Sequence, residues 1–253
     1  MLHALFALSL SHALDCARRP VTLLVAAVGI GMILSLRWFS AFGLGYEVVQ
    51  LQELGVYTAG LMSVVAAVLY SMPREDEGAE DAESGLLTRP VAPWVFAAGP
   101  FIGRALLIAG LCMLWFLTIS ATLYWYELAE PRLFSYRGAS SASAEAANLP
   151  IPMIAQWFAA CMLLALLQPL SRVRRPVLIA VGGVLIYLLG YGAASLGGVW
   201  AHILPDFSRH DLTPRLWGET TTASLATLTV HFCAWCAVGL IADTATLRVR
   251  SAA

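Results

Sequence analysis

Long runs of apolar residues, separated by short polar segments, dominate the chain. A helix that crosses about 30 Å of hydrocarbon needs about 20 mostly apolar residues. Residues 1–253 are therefore predicted to form a single, all-α, integral membrane domain with six transmembrane helices. The six stretches that meet the length requirement are 21–42, 54–72, 94–126, 151–170, 177–201 and 220–243.

The first 19 residues have a different pattern, because apolar and polar side chains alternate before the first long apolar run. Leu2, Leu5 and Phe6 lie among His3 and later polar residues. A helix with one apolar and one polar face lies in the membrane interface rather than across it. Residues 1–19 are therefore predicted to form an amphipathic interfacial helix that ends in two arginines at the level of the lipid headgroups.

The distribution of arginine over the loops predicts the orientation of the six helices, because cytoplasmic loops of membrane proteins carry more basic residues. Nine arginines fall on the side of the two termini and five on the other side, with Arg104 inside a span and left out. Both termini are thus predicted to be cytoplasmic. The nine are Arg18, Arg19, Arg74, Arg89, Arg172, Arg174, Arg175, Arg248 and Arg250, and the five are Arg37, Arg132, Arg137, Arg209 and Arg215.

Composition supports a membrane protein and excludes some functions. The chain is 59% hydrophobic and 12% charged, which leaves too little polar surface for a soluble domain of this size. The net charge of −1 gives no long-range attraction for nucleic acid, and none is expected as a partner. The sequence has no lysine, so it cannot contain the Gly-Lys-Ser/Thr phosphate loop that binds ATP in many ATPases.

Three segments between the predicted spans are too long to be simple turns. Residues 73–93 form a cytoplasmic loop and residues 127–150 an extracytoplasmic loop. Residues 202–217 mix apolar side chains with proline and are predicted to form a structured external connection.

The cytoplasmic loop 73–93 has the composition of a docking element. An acidic cluster precedes Leu86 and Leu87, and a short helix is predicted to begin near Ala79 and to end before Pro90, because the residue ahead of a proline avoids the helical region. The two leucines would be exposed beside charged residues unless a partner covers them. The alternative is a solvated acidic loop that binds nothing.

The order of motifs in and after this loop resembles the permease subunits of ABC-2 type transporters. In that family a Glu-rich stretch between the second and third spans is followed by a Gly-Thr-Leu-like segment and a basic-Pro-Val ending. The chain has EDAESGLLTRPVAPWVFAAGPFIGRALL at the same place, and a Leu-Pro-aromatic segment, HILPDFSRHDL, before the last span. The resemblance covers essentially the whole chain.

The resemblance implies that this chain is the permease subunit of an exporter in a bacterial cytoplasmic (inner) membrane. Two permease subunits, identical or paralogous, would pair with two separate ATPase subunits that bind ATP and Mg²⁺, and this chain itself would hold no cofactor and catalyse no reaction. The ATPase would dock on the 73–93 loop. The coupling surface implied by the resemblance consists of Glu83, Gly85, Leu86, Leu87, Arg89 and Pro90.

Two other classes of function remain open at this stage. One is a membrane scaffold or assembly factor that does not transport, whose acidic loop would bind something other than an ATPase. The other is an intramembrane enzyme, which requires polar catalytic groups inside the spans. The chain contains the residue types that a rhomboid-type serine protease uses, but it shares no more than residue type with that class. These residues are Gly138, Ser140 and Ser141 together with His231.

A few residues carry a chemical hypothesis beside a purely structural one. Cys233 and Cys236 are three residues apart and would share one helix face, where they could bind a soft metal or undergo redox chemistry; packing as small core residues is favoured. Haem binding is disfavoured, because only His231 lies well inside a predicted span. For Arg104 and Asp243, ionisable groups near or within spans, a structural role is favoured.

Overall fold

The structure is a computed structural model that describes residues 2–40, 46–73, 92–135, 141–173, 175–196, 204–217 and 224–252. Within these ranges the chain is helical, with two short 3-10 helices and no β-strand. The 3-10 helices are Phe207–His210 and Thr213–Trp217. The α-helices are α1 (Leu2–Ala17), α2 (Pro20–Ser40), α3 (Glu47–Ser71), α4 (Pro93–Ala129), α5 (Arg132–Ser135), α6 (Ala142–Ala147), α7 (Pro150–Ser171), α8 (Pro176–Tyr191), α9 (Ala193–Leu196) and α10 (Leu225–Ala252).

Four of the described helical segments are long and apolar enough to cross a membrane: α3, α4, α6 with α7, and α10. Helices α1 and α2 make a fifth when they are taken together, although they are bent by 66° at the break between them. The chain is therefore an all-helical, multi-pass membrane protein, as the apolar runs predict. Helix α8 is apolar but has only 16 residues, so a sixth span stays a prediction.

The predicted fifth span, residues 177–201, is longer than the helix found there. Helix α8 ends at Tyr191 and is capped by Gly192. The chain returns close to the last turn of α8, since a Cβ atom on Gly190 would lie only 2.4 Å from the carbonyl oxygen of Pro205 and 2.5 Å from the ring of Phe207. Glycine at this position allows the external connection to pack against the last turn of α8.

Helices α3, α4 and α7 form the centre of the bundle. Tyr70 on α3, Trp115 on α4 and Leu163 on α7 are fully buried. Helix α4 contacts α1, α2, α3, α7 and α10, and α7 contacts α3, α4, α8 and α10. Much of α8 and α10 remains exposed, with Val177, Val230 and Ile241 each at least two-thirds accessible, as expected for helices that face lipid.

The segment predicted as the extracytoplasmic loop 127–150 contains more structure than a loop. Helix α4 continues to Ala129, and α5 and α6 follow. Ser141 caps α6 by accepting a hydrogen bond of 3.3 Å from the amide of Ala144. The Gln52 side chain of α3 donates to both the backbone and the carboxylate of Glu145, each at 3.0 Å, which fixes α6 on the bundle.

Candidate functional site

The helices of the bundle have two ends, each with its own polar residues. The loop end is where α3 ends and α4 begins, so it flanks residues 74–91. The connection end carries residues 204–217, here named the connection. All six residues predicted for the coupling surface, Glu83, Gly85, Leu86, Leu87, Arg89 and Pro90, lie outside the described residues.

At the loop end, α1 packs across the first turns of α4. A Cβ atom on Gly99 would lie 2.8 Å from Cβ of Leu8, and one on Gly103 would lie 2.3 Å from the carbonyl oxygen of Ser9. The two glycines, four residues apart on one helix face, therefore admit the α1 backbone. The Tyr70 hydroxyl at the end of α3 donates to the Thr22 hydroxyl at the start of α2, at 3.1 Å.

A buried ion pair joins three helices at the same end. Asp243 of α10 is fully buried and accepts two hydrogen bonds from Arg172, at 2.9 Å from Nε and 3.2 Å from Nη2. The Gln168 amide donates to Asp243 at 3.0 Å and to the carbonyl oxygen of Ala97 at 2.6 Å. Asp243 thus links α10, α7 and α4.

Arg104 lies in the same region, in the third turn of α4. Its Nε atom is buried without a hydrogen-bond partner, and its guanidinium is within electrostatic range of Arg19 and Arg172. Three arginines therefore influence one another near this end of α4: Arg104 itself, Arg19 just before α2, and Arg172 at the end of α7. A basic end of this kind is typical of the cytoplasmic side of a membrane protein.

At the connection end, residues 204–217 pack between the helices. Phe207, His210, Leu212 and Thr213 are buried, and Phe207 packs against Tyr187 of α8 with ring centroids 5.4 Å apart. The connection predicted from the sequence is therefore folded over 204–217, and its external side stays a prediction.

The Asp211 carboxylate organises this end. Its Oδ2 atom accepts hydrogen bonds from the hydroxyls of Tyr57 and Tyr191, each at 3.1 Å. Its Oδ1 atom accepts from the Thr213 hydroxyl at 2.6 Å and the Thr213 amide at 3.2 Å. The Thr213 hydroxyl also lies 2.8 Å from the Tyr57 hydroxyl. Its single hydrogen goes to the carboxylate, because a charged oxygen is the stronger acceptor, so four donors from α3, α8 and the connection surround Asp211.

A cleft of about 510 Å³ opens beside Asp211. It lies between α3, α7, α8 and the connection, and its walls are mainly aromatic and aliphatic. Tyr57 and Tyr191 are 40% and 43% exposed, so their ring surfaces are accessible to a ligand. The residues that line the cleft include Tyr57, Gln156, Tyr187, Tyr191, Phe207 and Asp211.

A histidine of the connection, His210, lies beside His231 of α10. The rings of His210 and His231 have centroids 5.4 Å apart, and neither ring nitrogen of the buried His210 has a hydrogen-bond partner. Nε2 of His231 accepts a hydrogen bond of 3.1 Å from the indole of Trp235. Burial, and secondarily His231, lower the pKa of His210 to about 4, against an opposing effect of Asp206.

We expect the protein to lose stability between about pH 6.5 and pH 4 because of His210. The pKa in the folded state, about 4, is lower than the value of about 6.5 in an unfolded chain. As the pH falls, the unfolded state binds a proton that the folded state does not, so the folded state loses up to about 3 kcal/mol. Thermal unfolding in detergent, recorded from pH 7 to pH 4, measures this loss.

The variant His210→Phe should flatten that pH dependence, because phenylalanine packs against Phe158 without a titratable group. His3→Phe is the matched control, since His3 is exposed and its replacement should leave the slope unchanged. Equal slopes for wild type and His210→Phe would contradict the prediction.

The two cysteines whose spacing suggested a metal or redox site lie in different environments. Cys233 is exposed, whereas Cys236 is buried with its thiol 3.9 Å from the carbonyl oxygen of Cys161. No group of three possible metal-binding side chains occurs among the described residues. Cys236 is thus a small core residue.

The protease-like residue types are likewise not brought together in the described part of the chain. Ser141 caps α6, while His231 contacts His210 and Trp235. Gly138 and Ser140 lie outside the described residues.

Comparison with known proteins adds no family assignment. No protein-family model and no curated protein matches the chain. The functional interpretation therefore depends on the sequence motifs and on the geometry of the two ends.

Proposed function

We propose that this chain is the permease subunit of an ABC-2 type transporter. In this proposal it forms six spans, with α8 as the fifth and α10 as the sixth, and both termini lie in the bacterial cytoplasm. Separate ATPase subunits bind ATP and dock on loop 73–93, and a second permease subunit completes the path for an exported substrate.

One observation carries the proposal furthest: the two helices that flank loop 74–91 together contact every other long helix of the bundle. Helix α3 contacts α2, α4, α7 and α8, and α4 contacts α1, α2, α3, α7 and α10. A force applied to the loop would therefore reach every long helix through side chains in direct contact. This is the mechanical requirement for a membrane subunit that a soluble motor drives.

The N-terminal helix and the buried ion pair support the same division of labour. Helix α1 is held against the first turns of α4 through Gly99 and Gly103. Gln168 ties the start of α4 to the ends of α7 and α10 by way of Asp243. These contacts make the loop end a rigid platform, which can transmit movement because it does not deform locally.

Co-purification tests this proposal. Tagged protein is purified in mild detergent, its partners are identified by mass spectrometry, and ATP hydrolysis is assayed. We expect an ATPase with a phosphate-binding loop to accompany the native chain. In the variant Leu86→Asp/Leu87→Asp we expect at least about a tenfold loss of both partner and activity, because two apolar contacts become charged.

Leu128→Asp is the matched control, because Leu128 is an exposed leucine (84% accessible) near the opposite end of α4. This variant should keep the ATPase. If no ATPase accompanies the native chain and other membrane proteins do, the transporter proposal fails and a scaffold or assembly factor becomes the better hypothesis.

A further inference from the structure

We propose that the cleft beside Asp211 binds a quaternary ammonium group carried on an apolar body. The site belongs to the connection end of the isolated chain and does not need an ATPase partner. It therefore goes beyond the proposed function and is tested separately from it.

The first argument is the unbalanced charge of the cleft. Every hydrogen bond to Asp211 comes from a hydroxyl or a backbone amide. The nearby cation Arg209 forms its ion pair with Asp206 instead, at 2.9 Å. Among the described residues no cation pairs with Asp211, so the cleft keeps one negative charge in partly apolar surroundings, where a cationic ligand is favoured.

The second argument is the aromatic wall. Tyr57, Tyr187, Tyr191 and Phe207 line the same cleft. Tyr187 and Tyr191 are one helical turn apart, with ring centroids 6.1 Å from each other, and Tyr187 is 5.4 Å from Phe207. Faces of aromatic rings attract cations through their quadrupole, and such clusters bind methylated ammonium groups.

The third argument distinguishes a quaternary ammonium from a primary amine. A carboxylate has about four acceptor positions, and Tyr57, Tyr191 and Thr213 place four donors around Asp211. The carboxylate therefore supplies charge but no free acceptor for an N–H group. A primary amine would lose its hydrogen bonds to water without replacement, whereas a quaternary ammonium has none to lose.

The tyrosine hydroxyls that hold Asp211 also strengthen the aromatic wall. A phenol that donates a hydrogen bond to an anion gains electron density in its ring, because hydrogen-bonded groups polarise one another. Tyr57 and Tyr191 both donate in this way. The geometry thus couples the charge of Asp211 to the cation affinity of the two exposed rings.

The ligand chemistry has two possible sources, a free amphiphilic ammonium compound and the choline headgroup of a lipid. Two lipid-exposed leucines, Leu61 and Leu188, line the cleft, so an apolar body could extend from it into the bilayer. Comparing bilayers with and without choline lipids distinguishes the two sources.

The experiment uses the full chain in nanodiscs of phosphatidylglycerol and measures binding of benzyltrimethylammonium by saturation-transfer NMR. Benzylamine and benzyl alcohol are the comparison ligands. We expect the quaternary compound to bind most tightly, at least about fivefold more so than either comparison ligand. Equal binding of benzyl alcohol or benzylamine would overturn the proposal.

Variants locate the site. Asp211→Asn keeps the shape of the side chain and one of its two acceptor oxygens but removes the charge. It should weaken binding of benzyltrimethylammonium about tenfold. Tyr187→Leu/Tyr191→Leu keeps apolar bulk without aromatic faces and should weaken binding about fivefold, whereas Tyr187→Phe/Tyr191→Phe should retain most of it. Thermal unfolding of each variant verifies that it is folded. Unchanged binding in both Asp211→Asn and the leucine pair would refute the assignment.

A final arm adds phosphatidylcholine to the nanodiscs. Competition by this lipid supports a headgroup as the natural ligand, and its absence supports a free ammonium compound, while both results retain the quaternary ammonium site. Because no arm requires an ATPase, a negative result here leaves the proposed function standing, and a missing ATPase leaves this site standing.

Discussion

Replacing Asp243 with alanine is expected to lower the free energy of unfolding by about 3 to 5 kcal/mol. The carboxylate is fully buried and accepts hydrogen bonds from Arg172 and Gln168. Its removal takes this carboxylate away from the guanidinium of Arg172, whose side chain is only 16% exposed, and from the Gln168 amide. Denaturant or thermal unfolding in detergent measures the loss.

A double variant separates the cost of breaking the ion pair from the net value of the intact pair. Arg172→Met/Asp243→Leu removes both charges and fills similar volume, so it should recover most of the lost stability, because apolar replacements of buried ion pairs are often neutral. Arg209→Gln is the control for an ion pair of equal length, 2.9 Å to Asp206. The arginine side chain is 59% exposed, and Asp206, although only 8% exposed, keeps its hydrogen bond from the Ser208 hydroxyl. This variant should cost less than about 1 kcal/mol.

The prediction fails if Asp243→Ala costs no more than the Arg209 control, or if the double variant is no more stable than Asp243→Ala. Either result would mean that water reaches the pair and screens it. A confirmed loss would establish that α4, α7 and α10 move as one unit at the loop end, which the proposed coupling mechanism requires.

Hydropathy predicts the long helices because the same property that inserts a segment into lipid also decides its structure there. The stretches 94–126 and 151–170 fall within α4 and α7. Within the stretch 177–201 the described residues show a break between α8 and α9 that hydropathy does not register. Gly190 ends the regular packing of α8, because the connection returns against it, and residues beyond it are as apolar as those of a span.

The sequence alone does not show which residues of the candidate sites lie together. Tyr57 and Asp211 are 154 positions apart, and Arg172 and Asp243 are 71 apart, so no local motif links either pair. Proline and apolar residues in 202–217 did indicate a folded connection. They could not indicate which helices it would contact, since that depends on the arrangement of the whole bundle. The coupling surface around Leu86 and Leu87 was predicted from motif order alone and stays a prediction.

Replacing Gly29 with alanine should destabilise the protein by about 1 to 3 kcal/mol or more, although alanine favours helix over glycine. A Cβ atom at this position of α2 would lie 2.3 Å from Nε1 and 2.7 Å from Cε2 of Trp115. The indole is fully buried in α4 and has no room to withdraw. Helices α2 and α4 would therefore have to separate, and thermal unfolding should report a lower midpoint.

Gly31→Ala is an internal control for this change, because it lies in the same helix and a Cβ atom there would meet nothing within 4 Å. It should leave stability unchanged or raise it by up to about 1 kcal/mol. The double variant Gly29→Ala/Trp115→Phe should regain stability relative to Gly29→Ala, since the smaller ring vacates the space and also removes an indole N–H that has no hydrogen-bond partner. Equal midpoints for the two alanine variants would show that α2 and α4 are not packed this closely. A difference that Trp115→Phe abolishes would identify Gly29 and Trp115 as the contact that holds α2 on the central helices.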